Sequence, residues 1–298
     1  MSNIAIIDLG SSTIKVNVVN SATKELIHKY AETVNMAEGF YPDKIITDQA
    51  FSRVIEALIK IKNKLKDIKV SEVKLVTTGV ARKAVNIDDL KRKIKSKFNW
   101  DLKVISEEQE AELFYKGVVH DFDESLNLVA INIGGGSTEV TFGNSKSSIE
   151  RKSFPIGVSN LNEMFVLQDP VHPEHLNNMF KHINDQLTDV FNKAVDVMIY
   201  TGGELDYMEK TNHPLENSKH SKSHPKQISL ENFKNKYKEI KAKTKEELYK
   251  YMPENPRWMD GAVSCSAIAI VIAEKLQVKT IVPSNKNLID GLLLDYVK

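Results

Sequence analysis

Apolar runs and polar turns alternate from the first residues of this chain. Ile4-Ala5-Ile6-Ile7 and Ile14-Lys15-Val16-Asn17-Val18-Val19 flank the turn segment Asp8-Leu9-Gly10-Ser11-Ser12-Thr13. A third run follows over 25–34. Short runs rich in β-branched residues, joined by Gly and Ser, predict strands paired through turns. The period then changes. Phe51, Val54, Ile55, Leu58, Ile61 and Leu65 recur at helical spacing with lysines on the other face, which predicts an amphipathic helix. Runs at 73–77 and 102–105 predict two more strands with helices between and after them. Strands that begin as hairpins and continue in alternation with helices predict an α/β fold with a mixed, helix-covered sheet.

The plan repeats downstream. Leu128-Val129-Ala130-Ile131 leads into Asn132-Ile133-Gly134-Gly135-Gly136-Ser137-Thr138 and then Glu139-Val140-Thr141-Phe142. A strand is predicted at 149–154, then a long amphipathic helix carrying Leu176, Met179, Phe180, Ile183, Leu187, Val190 and Phe191. A strand over 197–201 runs into Gly202-Gly203, and 211–227, rich in His, Ser, Lys and Asn, reads as an exposed loop. A Lys/Glu-rich helical region spans 229–251, a helix apolar all round spans 262–276, and a last strand and helix fall at 279–282 and 288–296. The polar segment 121–127 sets a boundary. The expected domains are 1–121 and 122–298, with the last helix (about 286–298) returning to the first domain.

At 298 residues the chain is long enough for two cores. Lys and Arg number 41 against 40 Asp and Glu, so the net charge of +1 supplies no global attraction to nucleic acid or membrane. Neither is expected as a partner. The single cysteine, Cys265, cannot form an intramolecular disulfide and fits a reducing cytoplasm. Met1-Ser2-Asn3 runs straight into a strand, so no signal peptide is expected. The apolar stretch 262–273 is too short to span a bilayer.

Two turns in matching places carry the candidate chemistry. Small residues let consecutive backbone N–H groups close around an anion. That makes Gly10, Ser11, Ser12 and Thr13, and again Gly134, Gly135, Gly136, Ser137 and Thr138, candidate phosphate-binding residues. The pair implies a cleft that grips a phosphorylated ligand from both sides. The glycine triplet also reads as a bulged hairpin. Asp8, at the end of a buried strand, either meets a cation or caps its own turn. Glu139 either serves a hard cation such as Mg²⁺ or points outward from its strand. Ser106-Glu107-Glu108-Gln109 is a capping box that opens a helix, with Glu110 next; such acids suit a helix start in any case. A carboxylate there can also take a proton from attacking water. Arg82, after Thr77-Thr78-Gly79, is either a bidentate phosphate clamp or an ordinary helix-start arginine. His213, His220 and His224 have no compact metal-site spacing.

Together these segments resemble the exopolyphosphatase and guanosine pentaphosphate phosphohydrolase family. Its fold is the duplicated actin-like (ribonuclease H-like) domain with mixed sheets and an interdomain cleft. The resemblance runs nearly end to end: 6–12 and 130–139 resemble its phosphate motifs, 77–86 its Thr-Arg-Asn segment, 104–117 its Glu-rich helix, 154–161 its Pro-Gly-Leu turn and 198–203 its late glycine pair. It implies a phosphohydrolase releasing terminal phosphate from polyphosphate or a guanosine polyphosphate. Glu110 would be general base, Arg82 the phosphate clamp, and Asp8, Asn132 and Glu139 would serve Mg²⁺ or another divalent cation. It also implies a homodimer. The chain departs where Asn132 stands for an expected aspartate, where Gly10-Ser11-Ser12-Thr13 and Lys15 replace a motif with Asn and Arg, where Glu204 follows Gly203, and at Asn287-Leu288-Ile289-Asp290-Gly291. A neutral Asn132 lowers the expected metal affinity. It keeps open a second reading, a sensor of alarmone or polyphosphate with weak or no turnover. A third is an ATP-using kinase of the same superfamily, with its nucleotide near Gly202-Gly203.

Overall fold

Residues Met1–Gly117 with Leu288–Lys298 make one unit and Val118–Asn287 the other, each built on its own mixed sheet. The computed structural model describes residues 3–166, 168–187 and 194–296. Val190 and Phe191, expected on the long helix, lie outside the described residues.

In the first unit the chain forms β1 (Asn3–Leu9), β2 (Thr13–Asn20), β3 (Leu26–Thr33), α1 (Asp48–Asp67), β4 (Val70–Thr77), the single turn α2 (Val80–Lys83), α3 (Ile87–Phe98), β5 (Leu102–Val104) and α4 (Glu107–Val119). The sheet order is β3-β2-β1-β4-β5. β1, β2 and β3 pair antiparallel, and β1, β4 and β5 run parallel. β1 is buried on both faces, which is why its apolar run is continuous. Ala5, Ile7 and Leu9 join Val54, Leu58 and Ile61 of α1 in one core. Ile4 and Ile6 face the other way, toward Leu288, Ile289 and Leu292.

The second unit contains β6 (Leu128–Ile133), β7 (Thr138–Gly143), β8 (Ser148–Phe154), α5 (Val158–Phe165), α6 (Pro173–Gln186), β9 (Val197–Thr201), α7 (Glu204–Lys210), β10 (Glu216–Asn217), β11 (Lys226–Ser229), α8 (Leu230–Ile240), α9 (Lys245–Tyr249), a 3₁₀ turn (Pro256–Gly261), α10 (Ala262–Lys275) and β12 (Thr280–Pro283). The chain then re-enters the first unit as α11 (Leu288–Tyr296). There a Cβ on Gly291 would lie 1.8 Å from Leu113 O, so α11 meets α4 backbone to backbone. The second sheet runs β10-β11-β12-β9-β6-β7-β8. Its part β8-β7-β6-β9-β12 repeats the strand directions of the first sheet, and β11 and β10 extend it antiparallel. Each unit is therefore the mixed-sheet α/β domain expected from the sequence.

Two details differ from expectation. The division falls at Gly117/Val118, a few residues before 121/122. Asp121 belongs with the second unit because its carboxylate accepts from Ser221 Oγ (2.6 Å), Ser223 Oγ (2.9 Å) and Ser223 N (2.7 Å). Nor is 211–227 simply an exposed loop. Thr211, His213 and His224 are buried, and the segment carries β10 and leads into β11. Its polar groups satisfy one another: Thr211 Oγ1 lies 2.8 Å from His213 Nδ1, and His224 Nε2 lies 2.9 Å from Ser284 Oγ. Paired in this way, polar residues can enter a core. Burial pushes the His213 imidazole down to about 4.

Candidate functional site

Parallel strands with helices at their carboxyl ends gather side chains there. In the first unit those ends belong to β1, β4 and β5. β1 ends on Asp8-Leu9 and turns through Gly10, Ser11 and Ser12 into Thr13, closed by Gly10 N–H donating to Thr13 O (3.1 Å). The turn's carbonyls face inward. Ser12 O accepts from Val34 N (2.8 Å) and Asn35 N (3.0 Å), and Ser11 O from Ala37 N (3.1 Å). Among the described residues, the N–H groups of Ser11 and Ser12 donate to no protein acceptor. Ser11 Oγ accepts from Val80 N (3.2 Å), which leaves its own proton to donate. Gly79, at φ +52°, passes so close that a Cβ would sit 2.6 Å from Ser11 Oγ.

β4 delivers Arg82 on α2, and β5 delivers Glu110 on α4. The capping box forms as expected: Gln109 N donates to Ser106 Oγ (3.1 Å) and Ser106 N to Gln109 Oε1 (3.2 Å). It starts the helix so that Glu110 lies in its first turn. Arg82 Nη1 donates to Glu110 Oε2 at 2.5 Å and to Ile105 O at 3.3 Å. Asp8 lies close enough for its charge and that of Glu110 to interact. Burial pushes the Asp8 carboxyl up to about 6; Lys15, its cross-strand partner, pulls it down, and Glu110 pushes it up. Asp8 Oδ1 is sealed from solvent and has no hydrogen-bond partner among the described residues. An orphaned carboxylate oxygen is costly without a counter-charge, so its chemistry fits a hard cation.

In the second unit the equivalent turn is built on glycine. Gly134 N–H donates to Ser137 O (2.8 Å), and again the carbonyls are taken from within: Gly134 O by Val158 N (3.0 Å) and Gly135 O by Ser159 N (2.8 Å). The N–H groups of Gly135 and Gly136 donate to no protein acceptor among the described residues. Gly157, just before α5, presses on this turn; a Cβ there would lie 2.5 Å from Gly134 O. Asn132 and Glu139 are direct cross-strand partners, as Asp8 and Lys15 are in the first sheet. Among the described residues Asn132 Oδ1 has only a long contact from Thr201 Oγ1, at 3.4 Å. Glu139 is more occupied, since its Oε1 accepts from Ser137 Oγ (2.6 Å) and Ser153 Oγ (3.3 Å). Ser137 therefore offers an anion its backbone rather than its hydroxyl proton. Thr138 is buried and donates to Ile156 O (2.7 Å), which pins the hairpin.

Beside this turn lies a cavity of about 520 Å³. Its walls include Gly134, Gly135, Gly202, Glu204, Arg257 and Trp258. Gly202 and Gly203 have φ of +116° and +99°, and a Cβ on Gly203 would lie 3.1 Å from Trp258. Burial pushes the Glu204 carboxyl up to about 8, so near neutral pH it can donate a hydrogen bond. Sequence reasoning noticed the glycine pair but missed Glu204, Arg257 and Trp258 as a group. An acid directly after a buried strand and two glycines was the available signal. Among the described residues no three His, Cys, Asp or Glu form a metal cluster, and no helix is long and apolar enough to cross a membrane.

Fold and turns define a class: a duplicated α/β protein whose two units each end a parallel strand in an anion-ready turn. The profile of the Ppx/GppA phosphatase family matches residues 16–298, and the chain belongs to that family. It is 27% identical over 195 residues to the guanosine-5'-triphosphate,3'-diphosphate pyrophosphatase of Vibrio atlanticus, a match covering 65% of this chain and 39% of that protein. The chain spans between about a quarter and about half of the length of the curated relatives it matches. The Ppx/GppA phosphatase of Aquifex aeolicus, in its type II variant, shares the fold at 24% identity and TM-score 0.86, with 99% of each chain covered. An exopolyphosphatase from Cytophaga hutchinsonii shares it at 23% identity and TM-score 0.76, over 99% of this chain and 98% of that one.

Proposed function

We propose that this protein is a Mg²⁺-dependent phosphohydrolase that releases the terminal phosphate of a linear polyphosphate or of guanosine pentaphosphate. The observation that carries the reading is the cluster of Asp8, Glu110 and Arg82, in which Asp8 Oδ1 has no partner among the described residues and Arg82 holds Glu110 at 2.5 Å. Glu110 takes the proton of the water that attacks phosphorus. Arg82 orients Glu110 in the absence of substrate, and its remaining N–H donors suit phosphate oxygens. In the second unit, the N–H groups of Gly135 and Gly136 offer preset dipoles to a bound anion. Asp8 would ligate Mg²⁺ in the first unit, and Asn132 and Glu139 are the candidate donors of the second. When bound, the cation would offset charge on the phosphate oxygens.

The nucleotide form of the reading draws on the cavity beside Gly134 and Gly135. Trp258 gives it a ring, and Arg257 and Glu204 give it polar groups of the kind that hold a base. The test is phosphate release with Mg²⁺ from polyphosphate and guanosine pentaphosphate side by side, with Glu110→Gln as control. Release from at least one substrate, lost in the control, is expected. Tight binding without release would replace this reading with the sensor, and release that survives Glu110→Gln would remove the base.

A further inference from the structure

The chain's charge is nearly balanced, yet residues 53–103 contain fifteen Lys and Arg against six Asp and Glu. Four of those six acids are already used: Glu72, Asp88, Asp89 and Asp101 pair with Lys74, Lys91, Arg92 and Lys95. Lys60, Lys62, Lys66, Lys69, Lys93 and Lys97 have no ion pair among the described residues. The fold brings their helices together. Lys62 of α1 reaches the last turn of α3, with Nζ 3.5 Å from Lys97 O and 5.5 Å from the Phe98 ring centre. A groove of about 660 Å³ borders this end of α3, with Lys74 and Lys103 in its walls beside Glu72 and Asp101. Like charges held side by side repel, and an opposite charge laid over them relieves the cost.

We propose that this face of α1 and α3 is a docking surface for long-chain inorganic polyphosphate, separate from the site at the carboxyl ends of the strands. This rests on the polyphosphate form of the function above. Lys69 directly precedes β4, and Thr77 ends it, so the Lys69 end of this face lies about 25 Å from the catalytic end at 3.3 Å per residue. A long chain can hold the face while its end is cut; a short one cannot reach both. Phosphate alone, rather than nucleic acid, is the better match because the nearby rings are engaged. Phe98 is buried and stacked on Trp100, with centroids 5.1 Å apart, so it offers no face to a base.

The test compares the starting protein with the charge-reversed Lys66→Glu/Lys93→Glu/Lys97→Glu variant and with Lys66→Arg/Lys93→Arg/Lys97→Arg. Direct binding of long-chain polyphosphate is measured in a Glu110→Gln background, with single-stranded DNA as the comparison polyanion. Phosphate release from long-chain polyphosphate and from tripolyphosphate is measured with Glu110 intact. The expected result is a tenfold or greater loss of long-chain affinity and a matching rise in KM on reversal. Turnover of tripolyphosphate stays within twofold, and the arginine variant keeps the affinity. Unchanged long-chain affinity, an equal loss on tripolyphosphate, or DNA binding as tight as polyphosphate would overturn the proposal. If no substrate is hydrolysed, the hydrolase reading fails, while the binding arm still decides the docking face.

Discussion

The two turns are one design executed in different residues. Asp8 to Lys15 and Asn132 to Glu139 occupy the same register, and each turn closes with the N–H of its first glycine on the carbonyl three residues ahead. In both, the chain after the third strand takes the turn's inner carbonyls. The difference lies in charge. The first unit puts a buried acid on the strand before the turn and a lysine opposite; the second puts a neutral amide there and the acid opposite. Among the described residues Asp8 Oδ1 is left without a donor, while Glu139 is held by two serine hydroxyls. The backbone device is duplicated, but the unsatisfied charge is concentrated in the first unit, beside Glu110 and Arg82.

That asymmetry is broken most severely by Glu110→Gln. The amide keeps the shape and the contact with Arg82 but cannot take a proton. Phosphate release should fall by about 10²–10⁴-fold, the usual worth of a positioned base. Glu139→Gln should cost far less, because its acceptor bonds to Ser137 and Ser153 survive in an amide. Equal losses in steady-state assays of the two variants would place the chemistry in both units.

The next effect is on stability against pH. Burial holds Asp8 at about 6 against an ordinary 3.8, so the folded protein prefers it protonated. Its contribution is fully present below about pH 4 and is lost as pH rises through about 6. Two pKa units correspond to about 3 kcal/mol. In the presence of a chelator, denaturation midpoints of the starting protein should fall across this window relative to Asp8→Asn, whose side chain does not titrate. Added Mg²⁺ should narrow the gap at pH 8 by binding the folded form. Parallel profiles for the two proteins would mean that Asp8 has a partner in solution.

How much of this was legible beforehand varied with the kind of signal. Strands such as β9, buried at every position, and the apolar helix α10, buried from Ala262 to Ala273 except at Cys265, stand out for that reason. The helical spacing of α1 gave Val54, Ile55, Leu58, Ile61 and Leu65 of its buried face, while Phe51 is half-buried and the buried Ala50 and Ala57 carried too little apolar signal to be read. β3 was harder to bound, since most of its side chains are exposed and it is held by its ladder to β2. The turns and Glu110 were readable because small residues and a capping box are local devices. The cavity was not. Glu204, Arg257 and Trp258 meet through β9, α7 and the 3₁₀ turn, and no local pattern announces that meeting. The burial of His213 and His224 escaped for the same reason, since their partners lie on other elements or depend on a fold-specific turn.

The turns also differ in what braces them. Ser11 is held by a side chain, through Val80 N on its Oγ; the glycine turn is held by backbone, through Gly157. Gly157→Ala would place its Cβ 2.5–2.6 Å from the Gly134 oxygen and the Gly135 carbonyl group, neither of which is a flexible end. Relief requires moving the turn, at about 2 kcal/mol. Ser11→Ala removes one neutral acceptor and should cost about 1 kcal/mol. Chemical denaturation gives both values. A Gly157→Ala protein as stable as the parent would show that the glycine turn yields easily, against the idea of a rigid anion cradle.

Asn132→Asp is the smallest change and the sharpest test of the comparison. It restores to the second unit the acid that the first already has at Asp8. If Asn132 serves a cation, a formal charge there should lower the Mg²⁺ concentration for half-maximal phosphate release by about tenfold, near 1.4 kcal/mol. Its neighbour argues the other way. Glu139 sits directly across the ladder, and two carboxylates on facing positions repel unless a cation lies between them. The same substitution should therefore lower the chelated protein's melting temperature while leaving the Mg²⁺-loaded protein close to its starting value. Isothermal titration with Mg²⁺ and thermal melts with and without chelator separate the two contributions. A destabilised protein with no gain in Mg²⁺ affinity would mean that Asn132 serves no cation.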